Sequence, residues 1–317
     1  MNLRDSGGIP PTPTSVHSID RFVFSVPDLG EAWQFYRAFG LDVRRDGRGL
    51  ALHAFGHPHC WARLHESGRP KRLEYVRYGM PEDQLDAMRE RIRAAGIEAE
   101  PHPLGDAQGL WLSNPDGTRL QIVGAPKVSP SHKSPRSPVP PVAPGQGAAP
   151  ARSRVRQVRP RYLSHLLFFT PDVARMVGFS QEILGLRLSD HCGDGIAFLH
   201  GAHGSDHHLV AFAKSHAPGL HHSSWDVGSV EEVGCGSEQM RNAGHDQGWG
   251  VGRHVLGSNY FYYVRDPWGS YAEYSHDIDF VPAGSIWPAA DHPPQDALYV
   301  WGPSVPADFI TNLEQPA

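Results

Sequence analysis

Apolar and polar positions follow the same order in the two halves of the chain. Residues 22–43 and 166–188 each contain an apolar strand, a Pro-Asp corner and a helical pattern that ends near Gly-Leu. Residues 114–123 and 266–275 each contain an Asx-Pro-x-Gly turn followed by a strand. The pattern predicts an α+β fold in which each half forms a mixed sheet from paired strand–helix–strand units.

A second helical pattern follows in each half, at 80–96 and at 229–244. Asp28 and Asp172 are placed to cap the first helix of each half, and Ser229 begins a Ser-x-x-Glu capping box. A repeat that matches over three segments in the same order indicates duplicated domains, because its period is far longer than that of a solenoid.

Composition sets the limits of the two domains. Proline, serine, alanine and basic residues dominate 126–159, which predicts an exposed linker whose basic side chains lie in solvent. The linker separates a first module at 16–125 from a second module at 160–317, which includes a C-terminal tail. We expect residues 1–15 to be disordered.

Overall composition is that of an ordinary globular protein, with 39% hydrophobic and 20% charged residues and a formal net charge of −5. This balance gives no reason to expect nucleic acid or a membrane as a partner. There is no long apolar run and no signal-peptide pattern. Three cysteines without a CxxC motif fit a reducing compartment, so we expect a cytoplasmic protein.

The 20 histidines are the unusual feature, and the repeat provides an internal control for them. The second half has three potential metal ligands on predicted strands where the first half has none. These are His165, His222 and Glu273. Aligning the halves sets against them, in the same order, Arg21, Leu73 and Gln121. Two histidines and one carboxylate form the facial triad of non-haem Fe(II) oxygenases, which leaves metal positions open for substrate and O2.

The adjacent pair His221 and His222 requires a choice between the two side chains. Neighbouring side chains of a strand point to opposite faces, so only one of them can face a metal. The comparison of the halves favours His222 as the ligand. We expect His221 to pack on the other face or to support the ligand from behind.

Residues 252–273, GRHVLGSNYFYYVRDPWGSYAE, resemble the signature of the type I extradiol ring-cleaving dioxygenases of the vicinal oxygen chelate superfamily. The signature runs from Gly-x-His through a Tyr and an Asx-Pro-x-Gly turn to a Glu. The matching positions are Gly252, His254, Tyr263, Asp266, Pro267, Gly269 and Glu273. Tyr262 departs from the pattern, which usually has an aliphatic residue or Phe there.

The resemblance implies two tandem vicinal-oxygen-chelate modules of paired βαβββ units, the first of them metal-free. It assigns the metal to His165, His222 and Glu273. The metal is expected to be Fe(II), with Mn(II) as a possible replacement. His208, the second residue of a His-His pair, would do acid–base chemistry, while His254 and Tyr263 would hydrogen-bond the bound diol. The partners would be an aromatic diol and O2, and we expect a homo-oligomer.

Two other functions remain open on the sequence. A glyoxalase-like isomerase of the same superfamily would draw its ligands from both modules. A metal-free binding protein resembling the bleomycin-resistance proteins would need neither the triad nor the Gly-x-His motif. The apolar tail at 297–310 is predicted to cover the second cup or to form an oligomer contact.

Overall fold

The computed structural model describes residues 13–139 and 141–314. The first module is a seven-stranded mixed sheet with two helices. Its elements are β1 (Ser18–Val26), α1 (Leu29–Ala38), β2 (Asp42–Asp46), β3 (Gly49–His53), β4 (Ala62–Glu66), β5 (Arg72–Met80), α2 (Leu85–Ala95), β6 (Leu110–Ser113) and β7 (Arg119–Gly124). The strand order β2-β3-β4-β1-β5-β7-β6 puts β1 and β5, the first strand of each unit, side by side.

The second module repeats this arrangement with additions. Its elements are β8 (Leu163–Thr170), α3 (Val173–Glu182), β9 (Arg187–Cys192), β10 (Ile196–His200), β11 (Ser205–Asp206), β12 (Val210–Lys214), β13 (Gly219–Asp226), α4 (Val230–Asn242), β14 (Gly248–His254), β15 (Tyr260–Arg265), β16 (Tyr271–His276), β17 (Phe280–Val281), β18 (Ala290–Asp291), α5 (Pro294–Ala297) and β19 (Tyr299–Trp301). The main sheet has the order β18-β9-β10-β12-β8-β13-β16-β15-β14-β19, and β11 pairs with β17 separately. The observed fold is the predicted α+β repeat.

The capping residues read from the sequence begin the helices as expected. Asp28 accepts hydrogen bonds from the N–H groups of Gly30 and Glu31, and Asp172 accepts one from Arg175. Such bonds satisfy N–H groups that have no partner within the helix. Helices α1 and α3 therefore begin at equivalent points after β1 and β8.

The alignment of His222 with Leu73 is wrong. Strand pairing sets His222 opposite Tyr271 and Ser224 opposite Glu273 in the second module. In the first module, Tyr75 lies opposite Arg119 and Arg77 opposite Gln121. Since Glu273 and Gln121 are equivalent, the counterpart of His222 is Tyr75. Both modules have a register irregularity here, between Leu73 and Tyr75 and between Leu220 and His222, so it does not cause the difference. The cause is the start of the next helix: a 3-10 turn at Glu82–Gln84 precedes α2, whereas α4 is capped directly at Ser229.

Packed side chains fill the cup of the first module, and none of the residues at the ligand positions is a histidine or a carboxylate. Tyr75 is buried with Val23 and Trp111, and the Tyr75 and Trp111 rings are 5.1 Å apart. Gln121 is fully buried and donates from Nε2 to Asp106 and to the carbonyl of Gln108. Aromatic packing and an amide whose NH2 group is hydrogen-bonded thus occupy the space that the candidate ligands take in the second module.

The two modules share one hydrophobic core and are joined by buried polar contacts. Lys71 of the first module lies 2.6 Å from Asp266 of the second, with both side chains almost completely buried. The Tyr274 hydroxyl donates to the carbonyl of Phe39, and the two rings stack at 4.0 Å. These contacts fix the first module behind the sheet that carries the site.

Two segments carry contacts that their sequence-based description did not include. The linker is exposed along most of its described length, but Lys133 and Arg136 both pair with Asp277, at 3.0 and 2.5 Å. The predicted disordered N-terminus falls mostly on residues 1–12, outside the described residues. Ser15, at its end, is fully buried and hydrogen-bonds Gln84.

Candidate metal centre and active site

Three neighbouring strands carry the predicted metal ligands. His165 lies on β8, His222 on β13 and Glu273 on β16, and β13 is the middle strand of the three. Ser224 of β13 is the register partner of both His165 and Glu273. His222 precedes Ser224 by two residues and so shares its face. The small Ser224 side chain leaves room for the three longer side chains to converge above it.

The converging atoms are close together and buried. His165 Nε2 and His222 Nε2 lie 3.3 and 3.6 Å from Glu273 Oε2. All three residues are within about 2% of full burial, and their candidate ligand atoms lie within 4.8 Å of one another. Within residues 13–139 and 141–314, this is the one group of His, Cys, Asp and Glu side chains with such a geometry.

The protonation of the cluster suits a cation. Burial would raise the pKa of Glu273, but the neighbouring His165 outweighs it, so the pKa is lowered and the carboxylate is ionised. Burial, together with His221 and His165, lowers the pKa of His222 well below its ordinary value, which keeps the ring neutral. A neutral imidazole and an ionised carboxylate are the forms that bind metals.

Two atoms of the cluster have no hydrogen-bond partner. They are His222 Nε2 and Glu273 Oε2, both buried. An unpartnered buried polar atom is costly, and most such atoms in folded proteins are satisfied. A divalent cation between the two atoms would satisfy both, so the residues present fit a resident metal ion.

His221 supports His222 from the opposite face. Its Nδ1 lies 2.7 Å from His222 Nδ1 and its Nε2 lies 2.8 Å from the carbonyl of Phe309. The carbonyl requires a proton on His221 Nε2, so His221 Nδ1 accepts and His222 Nδ1 donates. This chain leaves His222 Nε2 without a proton and free to bind a metal.

The three residues predicted for acid–base chemistry and substrate binding lie beside the cluster. The His208 ring is 4.0 Å from the His165 ring, centroid to centroid, and His208 Nδ1 is 3.0 Å from His207 Nδ1. His254 Nε2 lies 2.9 Å from the Tyr263 hydroxyl, and His254 Nδ1 lies 2.8 Å from the carbonyl of Leu298. The structure therefore brings all six predicted site residues to one end of the cup.

A small cavity of about 90 Å³ opens onto the cluster. Beyond the site residues its walls are mainly apolar, and the C-terminal tail contributes Leu298, Phe309 and Ile310. Phe309 packs 5.0 Å from Tyr263 and 4.8 Å from His221, so the tail lies over this cup. Among the described residues, the cavity lining includes no lysine or arginine.

Sequence reasoning did not identify Asn259. Its Nδ2 donates to Glu273 Oε1 at 3.2 Å and to the hydroxyl of Ser275 at 2.9 Å, so it orients the ligand carboxylate. Asn259 lies inside the 252–273 signature. The feature that distinguishes it is the full burial of its polar side chain, which the structure shows and the sequence does not.

A duplicated cupped sheet with this cluster defines the class of vicinal oxygen chelate proteins. The model of the Glyoxalase/Bleomycin resistance protein/Dioxygenase superfamily matches residues 162–274. The chain belongs to the type I extradiol ring-cleaving dioxygenases of this superfamily. The resemblance stated from the signature is thereby confirmed.

Three similar proteins match this chain along most of its length. Metapyrocatechase 2 of Cupriavidus necator is 50% identical over 301 residues, which cover 95% of this chain and 93% of the relative. The manganese-dependent 2,3-dihydroxybiphenyl 1,2-dioxygenase of Geobacillus genomosp. 3 is 24% identical, covering 88% of this chain and 91% of that one. The Mn(II)-bound glyoxalase of Novosphingobium aromaticivorans has a TM-score of 0.74 at 25% identity, covering 96% of this chain and 95% of its own.

No helix in 13–139 or 141–314 is both long enough and apolar enough to span a bilayer.

Proposed function

We propose that this chain opens the ring of a catechol-type aromatic diol next to its two hydroxyl groups, using O2 and one Fe(II) ion. The observation that carries the proposal is the buried cluster of His165, His222 and Glu273, whose unpartnered atoms face one another beside an apolar cavity. A relative at 50% identity that is named a metapyrocatechase supports the same reaction.

His165, His222 and Glu273 would hold the metal. When bound, a divalent ion of this ligand type supplies Lewis-acid and one-electron chemistry to a diol and O2. Mn(II) accepts the same ligands, and two similar proteins carry manganese in their names. We assign Fe(II) as the native ion because two imidazoles and one carboxylate form the ligand set of non-haem Fe(II) oxygenases.

His208 would move the proton of the substrate. Its ring lies against the ligand His165 and lines the cavity, so it is within reach of a diol held at the cluster. Burial and the neighbouring His165 lower the pKa of His208 well below its ordinary value, which keeps the ring neutral and able to accept a proton. His207 takes up Nδ1, so Nε2 is the nitrogen left for the substrate.

His254 and Tyr263 would orient the diol. The carbonyl of Leu298 accepts a hydrogen bond from His254 Nδ1, so His254 Nε2 accepts the hydrogen bond of the Tyr263 hydroxyl. Burial and Glu273 raise the pKa of Tyr263 well above its ordinary value, so the hydroxyl keeps its proton. A neutral phenol beside the metal can donate to an ionised substrate oxygen.

The cavity favours a single uncharged ring. Its volume of about 90 Å³ is smaller than the roughly 150 Å³ of a cavity known to take benzene, so even one ring needs some displacement of the walls. A second ring would have to displace the tail at Phe309 and Ile310. The cavity lining in 13–139 and 141–314 has no cationic side chain to bind a carboxylated diol.

Anaerobic purification followed by metal analysis and a catechol assay tests the proposal. The expected result is about one Fe(II) per chain and a yellow ring-opened product, with kcat/KM higher for catechol than for 2,3-dihydroxybiphenyl. In the His222→Ala variant, metal and activity should both be lost. Full activity in that variant would refute the ligand assignment. Wild-type protein that contains no iron after anaerobic purification would refute the assignment of Fe(II).

A glyoxalase-like isomerase is the second candidate, favoured by the structural similarity to a Mn(II)-bound glyoxalase. Such an enzyme would draw ligands from both modules, whereas the first module has Arg21, Tyr75 and Gln121 at the equivalent positions. The catechol assay separates the two, because an isomerase consumes no O2.

A further inference from the structure

We infer that Asp190, acting through His207, fixes the tautomer of His208 and so directs its unprotonated nitrogen toward the substrate. Asp190 and His207 are positioning residues, and the inference rests on the proposed role of His208 in ring cleavage. The observation behind it is a continuous chain of hydrogen bonds from Asp190 through His207 to His208, which lines the cavity.

Asp190 is the only carboxylic acid among the three hydrogen-bonded residues, and four donors contact its carboxylate. Oδ2 accepts from His207 Nε2 at 2.9 Å and from Trp287 Nε1 at 3.0 Å. Oδ1 accepts from the backbone N–H of Ala290 at 3.0 Å and from His292 Nε2 at 2.9 Å. Burial would raise the pKa of Asp190, but hydrogen bonds from His207, His292, Trp287 and Ala290 lower it to about 2.

An ionised carboxylate has no proton to give, so His207 must donate from Nε2. In a neutral His207 the other nitrogen, Nδ1, is then an acceptor. Its neighbour at 3.0 Å is His208 Nδ1, which must therefore carry the proton of that ring. The His208 ring is left with a bare Nε2, the form in which it can accept a proton.

The same carboxylate also holds the segment that follows the catalytic strands. Trp287, Ala290 and His292 belong to a stretch whose strand β18 pairs in parallel with β9 next to Asp190. The Trp287 ring also packs 5.0 Å from the His207 ring. The His207 ring thus lies between the Asp190 carboxylate and the Trp287 indole. These contacts fix the orientation of the ring and keep its proton on Nε2.

Two donors to Asp190 make a selective test possible. The indole of Trp287 and the N–H of Ala290 can only donate, and they lie on different carboxylate oxygens. In a Trp287→Phe background, an Asp190→Asn side chain can keep its carbonyl at Ala290 and turn its NH2 toward His207. His207 Nε2 must then accept, its Nδ1 must donate, and the proton of His208 must move to Nε2.

The experiment compares Trp287→Phe with Trp287→Phe/Asp190→Asn, as Zn(II)-loaded protein with ¹⁵N-labelled histidine. Ring-nitrogen shifts report which nitrogen carries the proton, and the His208 signals are those lost in His208→Gln. We expect a protonated Nδ1 in the wild type and in Trp287→Phe, and a protonated Nε2 in the double variant. With Fe(II), kcat of the double variant should fall by about 10²-fold relative to Trp287→Phe while KM and metal content stay the same.

An unchanged His208 tautomer in the double variant would overturn the inference. A kcat of Trp287→Phe as low as that of the double variant would overturn it as well. If the double variant does not fold, His207→Phe decides, because it removes the acceptor and leaves Asp190 its three other donors. Two populated His208 tautomers are expected there, and a wild-type His208 spectrum would overturn the inference. If the wild type fails to cleave catechol but the tautomer results hold, the proposed function fails and the hydrogen-bond assignment stands.

Discussion

Replacing Glu273 with Gln should separate metal binding from folding. Glu273 is the one anion of the cluster and is completely buried, 3.3 and 3.6 Å from the two imidazole nitrogens. Gln has nearly the same shape but no charge, so it can pack in the same place without attracting a cation. Because the change also removes a buried charge, the metal-free variant should be at least as stable as the metal-free wild type.

The magnitude follows from linkage. A ligand that binds only the folded state stabilises it by about 2.7 kcal/mol at a hundred times its Kd. For a chain of this size, roughly 2 °C in Tm corresponds to 1 kcal/mol, so Mn(II) at that level should raise the Tm of the wild type by about 5 °C. The Glu273→Gln variant should show no rise. Mn(II) is used because it is stable in air.

The matched control is Glu314→Gln. Glu314 is also buried, but it accepts hydrogen bonds from the backbone N–H groups of Leu73 and Leu220 and lies outside the cluster. This variant should keep the full Mn(II)-dependent rise whatever its own Tm. A wild-type response in Glu273→Gln, or the same loss in both variants, would refute the reasoning that places the metal at Glu273.

Three further changes test other parts of the structure. Lys71→Met should lower the free energy of unfolding in urea by about 3–5 kcal/mol, because it leaves the buried Asp266 carboxylate unpaired. Lys214→Met, at an exposed pair, should cost less than about 1 kcal/mol, and equal losses would contradict this. Burial raises the pKa of Asp206 from 3.8 to about 7, so the folded state binds more protons than the unfolded chain between these values and loses stability as pH rises through them. Asp206→Asn should therefore flatten the decline in unfolding free energy between pH 5 and pH 7, and an unaltered slope would contradict it. Tyr263→Phe should keep the metal and lower kcat by about 10- to 100-fold, since it removes one hydrogen bond to a charged oxygen, and a loss of metal content would show a different role.

Turns and the alternation of apolar and polar residues were enough to predict the fold and to identify the residues of the candidate site. The Asx-Pro-x-Gly turn sets the phase of β16, so Glu273 could be counted onto the correct face from the turn alone. The Pro-Asp corner does the same for His165 on β8, because helix capping at Asp172 fixes where that strand ends. Each of these two ligands is tied to a turn within a few residues.

The counterpart of His222 was not predictable in this way. A helix cap at Ser229 follows His222 by seven residues, but in the first module a 3-10 turn at Glu82–Gln84 lies between β5 and α2. Counting back from the two helix starts therefore gives the wrong counterpart. Alternation correctly separated His221 from His222, but the comparison with Leu73 used the wrong residue. The conclusion survives because the true counterpart, Tyr75, packs against Trp111 in the first cup.

The sequence by itself determined that there are two repeated α+β modules, and that the second contains candidate metal ligands and a family signature. Only the tertiary structure decided which polar groups support those ligands. Asn259 reaches Glu273 across two strands, and Asp190 reaches Trp287 from 97 residues away. The physical reason is that alternation and turns act over a few residues, whereas hydrogen bonds between distant side chains depend on strand register and packing, which exist only once the whole chain has folded.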